Sequence, residues 1–497
     1  MKSLGFCLAL AALASGCGSS DATTELPTDA AVDGDAPAAE TGGAGGATPD
    51  SGKEGGKDSE PDAVPTDGPP AEASATCGAI DGFLPSWAVN ATPSKEVYVS
   101  PSGDDNADGS QGKPLKTAKK AFSLLAAGVR LNFATGTYDC PGFVTELMAP
   151  TTSPAIVRAI DGPRSAKFDC ANTSDFFFDH VSAIVLDGLE IFNASGHGIL
   201  LDSGSGFPGG TLSSDFVLAH SYVHDTQLAS IKCAQSQRIY VIGNEFARIG
   251  AGRQNVEMVA CDMPVIVGND AHDSDAFDEV KGGANGGIIA LNHVHDMNAG
   301  GGGILVGGDC TGQQFLVDPN VDYEAKNLVV WGNVITGADS FAFRIVGCHD
   351  CLIANNTYWS PAPKAILRIL HDAFASQGGT GCDIPLHNSN VRITNNLFAW
   401  PSTSIWVTAS DEDPANIKFD HNLWFASGGD VTTLGGDIPF LGEATSLYNK
   451  DPKLVSPPGD VSLGPGSAAL GAGISVPEVG GTMEGKCPKS PPDIGAY

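Results

Sequence analysis

The feature of this sequence that most restricts its fold is a short apolar run ending in asparagine, which recurs along the chain. The terminal residues of these runs are Asn244, Asn269, Asn292, Asn333, Asn356, Asn396 and Asn422. They are separated by 25, 23, 41, 23, 40 and 26 residues, which indicates a unit of about 23 residues with two insertions of about 17. Repeats of this length are typical of solenoid architectures.

Stacked coils of parallel strands explain the repeat, because one coil cannot bury its apolar face whereas neighbouring coils share a continuous interior. Asparagine side chains at equivalent turns can hydrogen-bond from coil to coil and tolerate a left-handed backbone there. The sequence therefore predicts an all-β, right-handed parallel β-helix with three strands per coil and an asparagine ladder between the second and third strands. A β-propeller is the alternative, but its repeats are about 40–50 residues long.

The first 17 residues have the features of an export signal. They contain a short basic start, an apolar run of ten residues, and small residues that lead into a cysteine, Ala14-Ser15-Gly16-Cys17. An apolar run this short does not span a bilayer as a helix. The pattern resembles the lipobox of bacterial lipoproteins, which implies lipidation of Cys17, and Gly18 resembles the residue that directs such proteins to the outer membrane. An ordinary cleaved signal peptide is the alternative.

Residues 18–76 are predicted to form a disordered tether. They carry 13 acidic and two basic residues and almost no large apolar side chains, so they cannot bury enough surface to offset the entropy of folding. Such a segment can hold a folded body away from a membrane, and a recognition tail is the alternative. The body is predicted as a single domain, residues 77–497, with an N-terminal cap over about 77–135, coils over about 136–445 and a closing segment over about 446–497.

The charge of the body restricts its partners. The whole chain has a formal charge of −31, and −21 remains for the body once the tether and Lys2 are set aside. Such a body does not bind nucleic acid non-specifically. It also repels an acidic polymer unless a local basic groove or bound cations reverse the field. The sequence predicts a monomer that contacts the membrane only through its lipid anchor.

The body contains ten cysteines, an even number that favours disulfides in an exported protein. Cys348-His-Asp-Cys351 has the spacing of half a zinc site. Because no second motif of this spacing is present, a disulfide or buried thiols are favoured over a metal.

Both ends of the body, together with the asparagine repeats, resemble pectate-lyase-like β-helix proteins. The segments that carry the resemblance are 96–105, 112–122, 451–454, 466–473 and 492–497. The resemblance implies an N-terminal cap made of a strand, a polar loop and a helix over 118–127, and a closing segment at the other end. This fold hosts lyases, hydrolases, epimerases and adhesins, so activity must be argued from the site.

Charged residues are predicted to form one outer face of the first strands. Side chains alternate along a strand, so the residues between apolar flanks point outward. These residues are Lys232, Glu257, Glu279, Lys281, Arg344, Arg368 and Trp406. Basic residues number only 27 in 497, so their grouping favours a groove for an acidic polymer. A solvated face with weak ion pairs is the alternative.

The residue types suggest β-elimination on a uronate-containing polysaccharide. This reaction needs a neutralised carboxylate and a base, and a lysine whose pKa is lowered by neighbouring cations can serve as base. β-Helical alginate lyases and chondroitinase B are similar in kind, which implies Lys281 as base and Arg344 as its partner. Arg368 is a further catalytic candidate that would bind and neutralise carboxylates with Arg344. Arg344 lies two coils further on, past an insertion.

Further residues complete this hypothesis. Calcium takes oxygen ligands, and the candidates are Glu257, Asp275, Asp278 and Glu279. Lys232, His371 and Trp406 are candidates for substrate binding.

Two other functions remain open at this point. One is inverting hydrolysis with Asp275 and either Asp278 or Glu279 as acid and base. The other is non-catalytic binding of polysaccharide.

Histidine–aspartate pairs also recur, at His224-Asp225 and His295-Asp296. A turn explains them better than acid–base chemistry, because the pair is repeated in two coils. Asp270, His272 and Asp273 could bind a cation or form a loop.

Overall fold

The computed structural model describes residues 77, 79–203, 210–308, 311, 315–370, 386–401, 407–410, 414–433 and 444–497. Within these residues the chain forms the predicted right-handed parallel β-helix. Cys17, His371 and Trp406 lie outside the described residues, as do Cys310 and Cys382. No helix in the described part is long and apolar enough to cross a membrane.

The first half of the chain contains the following strands: β1 Lys95–Val99, β2 Val129–Phe133, β3 Gly136–Asp139, β4 Phe143–Thr145, β5 Ala155–Ala159, β6 Ala166–Asp169, β7 Phe176–Asp179, β8 Ser182–Asp187, β9 Leu189–Phe192, β10 Ile199–Asp202, β11 Ser213–Ala219, β12 Tyr222–Thr226, β13 Ile231–Ile242, β14 Glu245–Ile249, β15 Gln254–Asp262, β16 Val265–Val267, β17 Asp270–His272, β18 Ala276–Lys281, β19 Ala284–Asn285. The short helices of this half are Ile80–Phe83 (3-10), Ser86–Val89 and Ala118–Phe122.

The second half contains these strands: β20 Ile288–Ala290, β21 His293–Val294, β22 Gly302–Gly307, β23 Ala325–Lys326, β24 Val329–Trp331, β25 Val334–Thr336, β26 Phe341–Val346, β27 Cys348–His349, β28 Leu352–Ala354, β29 Thr357–Trp359, β30 Leu367–Leu370, β31 Val391–Thr394, β32 Leu397–Trp400, β33 Val407–Ser410, β34 Ile417–Asp420, β35 Leu423–Ala426, β36 Leu447–Tyr448, β37 Leu454–Ser456, β38 Asp460–Leu463. Two 3-10 helices, Pro414–Asn416 and Val431–Thr433, belong to this half.

Most strands stack into three parallel sets, one for each side of the coil; β19, β23 and β27 form a small parallel sheet, and β37 and β38 form an antiparallel pair. The first set comprises β4, β7, β10, the start of β13, β15, β18, β22, β26, β30 and β33. The second set comprises β1, β2, β5, β8, β11, the end of β13, β16, β20, β24, β28, β31 and β34. The third set is a separate 12-stranded sheet that runs from β3 to β36. Because β13 spans a corner, the first two sets join into one 21-stranded sheet.

The asparagine ladder lies between the second and third sets, as predicted. Each ladder asparagine donates its Nδ2 hydrogen to Oδ1 of the next at 2.9–3.0 Å, from Asn244 through to Asn422. The serines Ser221 and Ser446 extend the ladder at its two ends. These side chains are buried, so without the ladder hydrogen bonds their polar atoms would have no partners.

The left-handed residue of this turn lies one position earlier than expected. The backbone φ is positive at Gly243, Gly268, Leu291, Gly332, Asn355, Asn395 and His421, each of which immediately precedes a ladder asparagine. The repeated geometry of the turn therefore comes from the residue before each ladder asparagine, and the asparagine contributes its side-chain hydrogen bonds.

The N-terminal helix is shorter than predicted and ends at Phe122, because the chain turns at Ser123. Thr117 caps its first turn by accepting a hydrogen bond from the backbone N–H of Lys120 at 3.1 Å. The ring of Phe122 lies 5.4 Å from that of Phe176 and 6.1 Å from that of Phe133, both core residues. The helix thus covers the apolar interior at this end.

The terminal segments pack on outer faces of the coils. Phe83 contacts the apolar outer side of the second set around Trp331, with Val479 and Met483 beside them. Ile494 packs against Leu397 on the outer side of the third set. The closing segment therefore covers a side of the β-helix.

Disulfides are present, as predicted. Those within the described residues join Cys77 to Cys487, Cys140 to Cys170, Cys233 to Cys261, and Cys348 to Cys351. The last of these shows that Cys348-His-Asp-Cys351 forms a disulfide, as favoured over a zinc half-site. The first connects the N-terminal segment to the closing segment.

Candidate functional site

The charged residues predicted on the first strand set form one column along the β-helix axis. Strand register aligns Lys232 with Glu257, Glu257 with Glu279, and Arg344 with Arg368. Leu305 lies between Glu279 and Arg344, which confirms the expected two-coil separation. Successive members lie about 4.8 Å apart, the spacing of hydrogen-bonded strands. Lys281 follows Glu279 by two residues and so faces the same side of β18. The name charged column denotes Lys232, Glu257, Glu279, Lys281, Leu305, Arg344 and Arg368.

Its N-terminal half consists of two largely buried ion pairs. Lys232 Nζ lies 3.0 Å from Glu257 Oε2, and Lys281 Nζ lies 2.9 Å from Glu279 Oε2. The side chains of Glu257, Glu279 and Lys281 are only 7%, 5% and 11% exposed. Burial acts to raise the pKa of Glu257, but Lys232, together with His197 and Lys281, lowers this pKa below its ordinary value. The arrangement is thus neither an open groove nor a solvated face at this point.

Lys281 has the opposite environment from the one predicted for a base. Burial alone would lower its pKa, but Glu279, with Glu257 and Glu324, raises this pKa above the ordinary value for lysine. A Cβ atom at Gly308 would lie 2.6 Å from Glu279 Oε1, so the chain after β22 packs directly over the pair. Carboxylates, rather than cations, converge on this ammonium group, and they hold it protonated at neutral pH.

Glu324 is a buried member of this cluster that the sequence reasoning did not single out. Its carboxylate accepts hydrogen bonds from the backbone N–H groups of Gly282 and Thr311, each at 2.7 Å, and from the Thr311 hydroxyl at 2.8 Å. Burial raises the pKa of Glu324 in spite of these bonds. It follows the insertion after β22, where the repeat spacing gives no indication of which side a residue faces.

The predicted calcium ligands do not converge. Asp278 is aligned with Val256 and Ile304 of the core, on the opposite side of β18 from Glu279. It is fully buried, and this burial raises its pKa well above the usual range. The prediction that Asp278 is a calcium ligand or a hydrolytic acid in an outer groove is therefore wrong. Side chains alternate sides along β18, so Asp278 points into the core when Glu279 points outward.

Asp275 lies in the turn that precedes β18. Its carboxylate accepts hydrogen bonds from the backbone N–H of Gly252 at 2.5 Å and from Asn298 Nδ2 at 2.7 Å, which ties three coils together. Only Glu257 and Glu279 of the four predicted ligands share the charged column, and each is already neutralised by a lysine. Calcium requires six to eight oxygen ligands, so these residues do not fit a calcium site.

The C-terminal half of the charged column carries two arginines in adjacent coils. Arg344 is buried and Arg368 is half-buried, with its guanidinium carbon 5.7 Å from the centroid of the Phe341 ring. Such a contact orients a guanidinium group by a cation–π interaction. Two aligned guanidinium groups can bind carboxylates through paired hydrogen bonds.

A second group of ionisable residues lies on the outer side of the third strand set. His295 Nε2 lies 2.9 Å and His293 Nδ1 lies 3.4 Å from Asp270 Oδ1. The potential ligand atoms of these three half-buried residues all lie within 4.8 Å of one another, so they could hold a metal ion. Hydrogen bonds from the histidines lower the pKa of Asp270 against the effect of burial, and Asp270 raises the pKa of His295 to about 9.

The histidine–aspartate pairs have the turn role that was favoured for them. The aspartate of each pair has a positive φ, 54° at Asp225, 51° at Asp273 and 47° at Asp296. In each pair, a carboxylate oxygen of the aspartate lies within hydrogen-bond distance of Nδ1 of the preceding histidine. The pattern occurs in three coils, one more than the sequence reasoning counted. Trp331, Trp400 and Trp424 are buried and pack inside the structure, so they are not exposed to a polysaccharide.

Comparison with known proteins supports the fold. Residues 101–142 match a family model described as "Protein of unknown function (DUF1565)". No curated protein matches the sequence. The chain is similar to a rhamnogalacturonan lyase structure, with a TM-score of 0.50 and 13% identity over 66% of this chain and 87% of that chain.

Two further structures resemble the chain. One is pectate lyase Pel9A, with a TM-score of 0.45 and 16% identity over 86% of this chain and 99% of that chain. The other is an alginate lyase from Paenibacillus sp. str. FPU-7, with a TM-score of 0.37 and 12% identity over 66% of this chain and 94% of that chain. At such identities a shared structure means a shared fold, here the parallel β-helix, and activity must be argued from the residues.

Proposed function

We propose that this protein acts on an acidic, uronate-containing polysaccharide that binds along the outer face of the first strand set. The observation that supports this proposal is the alignment of Arg344 with Arg368 in adjacent coils of the charged column. The folded body has a formal charge of −21, so a pair of aligned arginines is a local exception suited to a carboxylate. Arginine is the residue best matched to carboxylates, because its planar group donates two parallel hydrogen bonds.

The reaction that we propose is β-elimination. The proton α to the uronate carboxylate is removed, the bond to the 4-oxygen breaks, the released 4-oxygen takes up a proton, and an unsaturated sugar remains. Arg344 and Arg368 would neutralise the carboxylate and make the proton more acidic. Lys281 could accept it only as the neutral amine, so its ammonium group must first lose a proton to Glu279 or to solvent, because the present pair keeps the lysine protonated.

The ion pair between Lys281 and Glu279 also favours a second function, non-catalytic polysaccharide binding. A lysine that is 11% exposed and held by three carboxylates stabilises the stack without any chemistry. In this case the arginines would bind the polymer and no bond would break. The two functions share a binding face and differ in product formation.

The first test measures ultraviolet absorbance while the purified full-length protein is incubated with a panel of acidic polysaccharides. An increase indicates unsaturated product and supports β-elimination. A parallel reducing-sugar assay that rises without absorbance would indicate hydrolysis instead. Calcium dependence remains a prediction, and repeating the assay with calcium and with a chelator tests it.

The arginine pair is tested by Arg368→Ala. We expect affinity for the polysaccharide to fall about 10-fold or more, since a hydrogen bond to a charged group is worth about 1.5–3 kcal/mol. Lys418→Ala is the matched control, because Lys418 is an exposed cation on the second strand set and its loss changes the net charge equally. Equal effects of the two substitutions on binding would contradict the assigned face.

Lys281 needs a paired substitution. Lys281→Ala alone leaves buried carboxylates uncompensated, which is expected to cost about 3–5 kcal/mol of stability. Lys281→Met combined with Glu279→Gln removes both charges and should retain the fold. If Lys281 is the base, this double variant binds polymer without turnover; retained turnover would exclude that role.

We further propose that the chain is exported and anchored to the outer membrane through lipidated Cys17, with residues 18–76 as the tether. The export-signal pattern and the composition of that segment support this proposal. Cys17→Ala should move the protein from the membrane fraction to the soluble fraction.

A further inference from the structure

The third strand set carries the same ionisable arrangement in three coils. In each, Nε2 of a histidine faces a carboxylate of the preceding coil while Nδ1 faces the aspartate that follows the histidine. The three sets are Glu190–His224–Asp225, Glu245–His272–Asp273 and Asp270–His295–Asp296. Their Nε2-to-carboxylate distances are 3.5, 3.3 and 2.9 Å. We call them the carboxylate–histidine–aspartate sets.

The last set differs from the other two by one additional ligand. His293 is aligned with Asp270 in the strand register, so it lies directly beside this carboxylate in the next coil. It is two residues before His295 on the same chain, and residues two apart on a strand point to the same side. The equivalent residue in the coil of His272 is Asp270 itself, and in the coil of His224 it is Tyr222.

We propose that Asp270, His293 and His295 form a binding site for a divalent first-row transition metal. Two imidazole nitrogens and one carboxylate oxygen are the donor set that suits zinc, iron(II) and nickel, in contrast to the all-oxygen set that suits calcium. The site lies on the third strand set, away from the charged column of the first, and it is independent of the proposed polysaccharide chemistry.

The distances agree with this donor set. Ligand atoms around a tetrahedral zinc ion lie about 3.3 Å apart, given zinc–ligand bonds of about 2.0–2.1 Å. Asp270 Oδ1 lies 3.4 Å from His293 Nδ1 and 2.9 Å from His295 Nε2. Three protein ligands leave a coordination position for water or another small ligand, as in open zinc sites.

The surroundings of His295 also resemble those of a metal ligand. Its Nδ1 lies 2.8 Å from Asp296 Oδ2, which leaves Nε2 directed at the site. Metal-binding histidines commonly donate their other ring N–H to a carboxylate in this way, which orients the ring and makes the ligand nitrogen more basic. The His293 ring stacks on the His295 ring with centroids 4.4 Å apart, which keeps both rings on this face.

A purely electrostatic explanation accounts for the three sets without His293, which adds a second imidazole contact to Asp270 that the other two sets lack. Carboxylate–histidine pairs stabilise neighbouring coils in all three sets, and each set is complete without another imidazole. The chain thus supplies its own matched control, since His272 has the same carboxylate and aspartate contacts as His295.

The test measures zinc binding to the full-length protein purified without a histidine tag. Equilibrium dialysis followed by elemental analysis should give one zinc ion per chain. We expect His293→Ala to weaken this binding more than about 100-fold, because losing even an outer-shell partner costs about 10–100-fold. His272→Ala should leave the affinity within a few-fold of the parent protein.

A spectroscopic measurement separates loss of the site from loss of the fold. Cobalt(II) bound in place of zinc should give visible absorption in the parent protein and in His272→Ala, and none in His293→Ala, while all three retain the same circular dichroism. Absence of zinc binding in the parent protein would overturn the proposal. So would equal affinities of the parent and His293→Ala, or equal losses in the two variants.

Discussion

His220 connects the N-terminal segment to the coils through two carboxylates. Its Nδ1 lies 2.7 Å from Asp187 Oδ1, and its Nε2 lies 3.0 Å from Asp81 Oδ1. The hydrogen bond with Asp187 raises the pKa of His220 to about 9, against burial and with help from Asp81. A protonated imidazole between two carboxylates therefore holds the segment that begins at Cys77 against the second strand set.

We predict that the stability gained from His220 is lost at alkaline pH. A raised folded-state pKa contributes fully below the unfolded value of about 6.5 and disappears as the pH rises through about 9. Because the side chain is about one-third exposed, solvent screening reduces the contribution to about 1 kcal/mol. Urea denaturation of the parent and of His220→Gln should differ by this amount near pH 6 and coincide well above pH 9. A difference that grows with pH would contradict the assignment.

Residue-level environments were only partly predictable at the charged column. Alternation along the strands placed Lys232, Glu257 and Arg344 on one outer face, because their apolar neighbours show which side is the core. By the same rule, Asp278 points inward because its neighbour Glu279 points outward. Its position in a dense run of charged residues does not reveal this orientation. The third carboxylate of the Lys281 cluster, Glu324, follows an insertion and has no periodic relation to β18.

At the level of strands and turns, the asparagine ladder couples each coil to the next from Ser221 to Ser446. Asn292 illustrates its hydrogen bonds: Oδ1 accepts from the backbone N–H and Nδ2 of Asn269, and Nδ2 donates to Asn333 Oδ1 and to the Ile266 carbonyl. All these groups lie inside the β-helix, where water cannot replace a missing partner. The insertion between Asn292 and Asn333 leaves the ladder unbroken.

We predict that Asn292→Ala destabilises the protein by about 2–5 kcal/mol. The substitution leaves several buried donors and acceptors without partners, and each such group costs about 1–3 kcal/mol. Chemical denaturation followed by circular dichroism measures the loss. Asn320→Ala is the control, because the exposed Asn320 donates to Asp318 within a surface turn and should change stability by less than about 0.5 kcal/mol. Similar effects of the two substitutions would show that the ladder contributes little.

The repeat predicted which strands stack, since the ladder residues mark one corner in every coil. It could not predict what covers the outer faces, because the covering segments lie outside the repeat. Along the third strand set, the outward column changes from Asp270 and His293 to Val334, which packs with Val461 and Ala496 of the closing segment. The cluster of Asp270, His293 and His295 therefore ends at the coil where the closing segment begins to cover the third strand set.

At the scale of the whole molecule, the Cys77–Cys487 disulfide closes a loop of nearly the entire body. The two cysteines are separated by 410 residues, and the segments they join both pack on the apolar outer side of the second strand set. A cross-link restricts the unfolded chain more strongly when the loop it closes is longer. By contrast, Cys348 and Cys351 are separated by three residues and restrict the unfolded chain little.

We therefore predict that Cys77→Ala with Cys487→Ala lowers the free energy of unfolding by about 2–5 kcal/mol, and that Cys348→Ala with Cys351→Ala lowers it by about 2 kcal/mol or less. Urea midpoints of the two double variants and the parent, compared under non-reducing conditions, measure both effects. Cys348 and Cys351 are buried, so alanine at these positions leaves a small cavity. This cavity adds to the loss from the short-range pair and reduces the expected difference between the two double variants. A larger loss from the short-range pair would show that packing around the sulfur atoms, rather than loop closure, determines how the cross-links stabilise this β-helix.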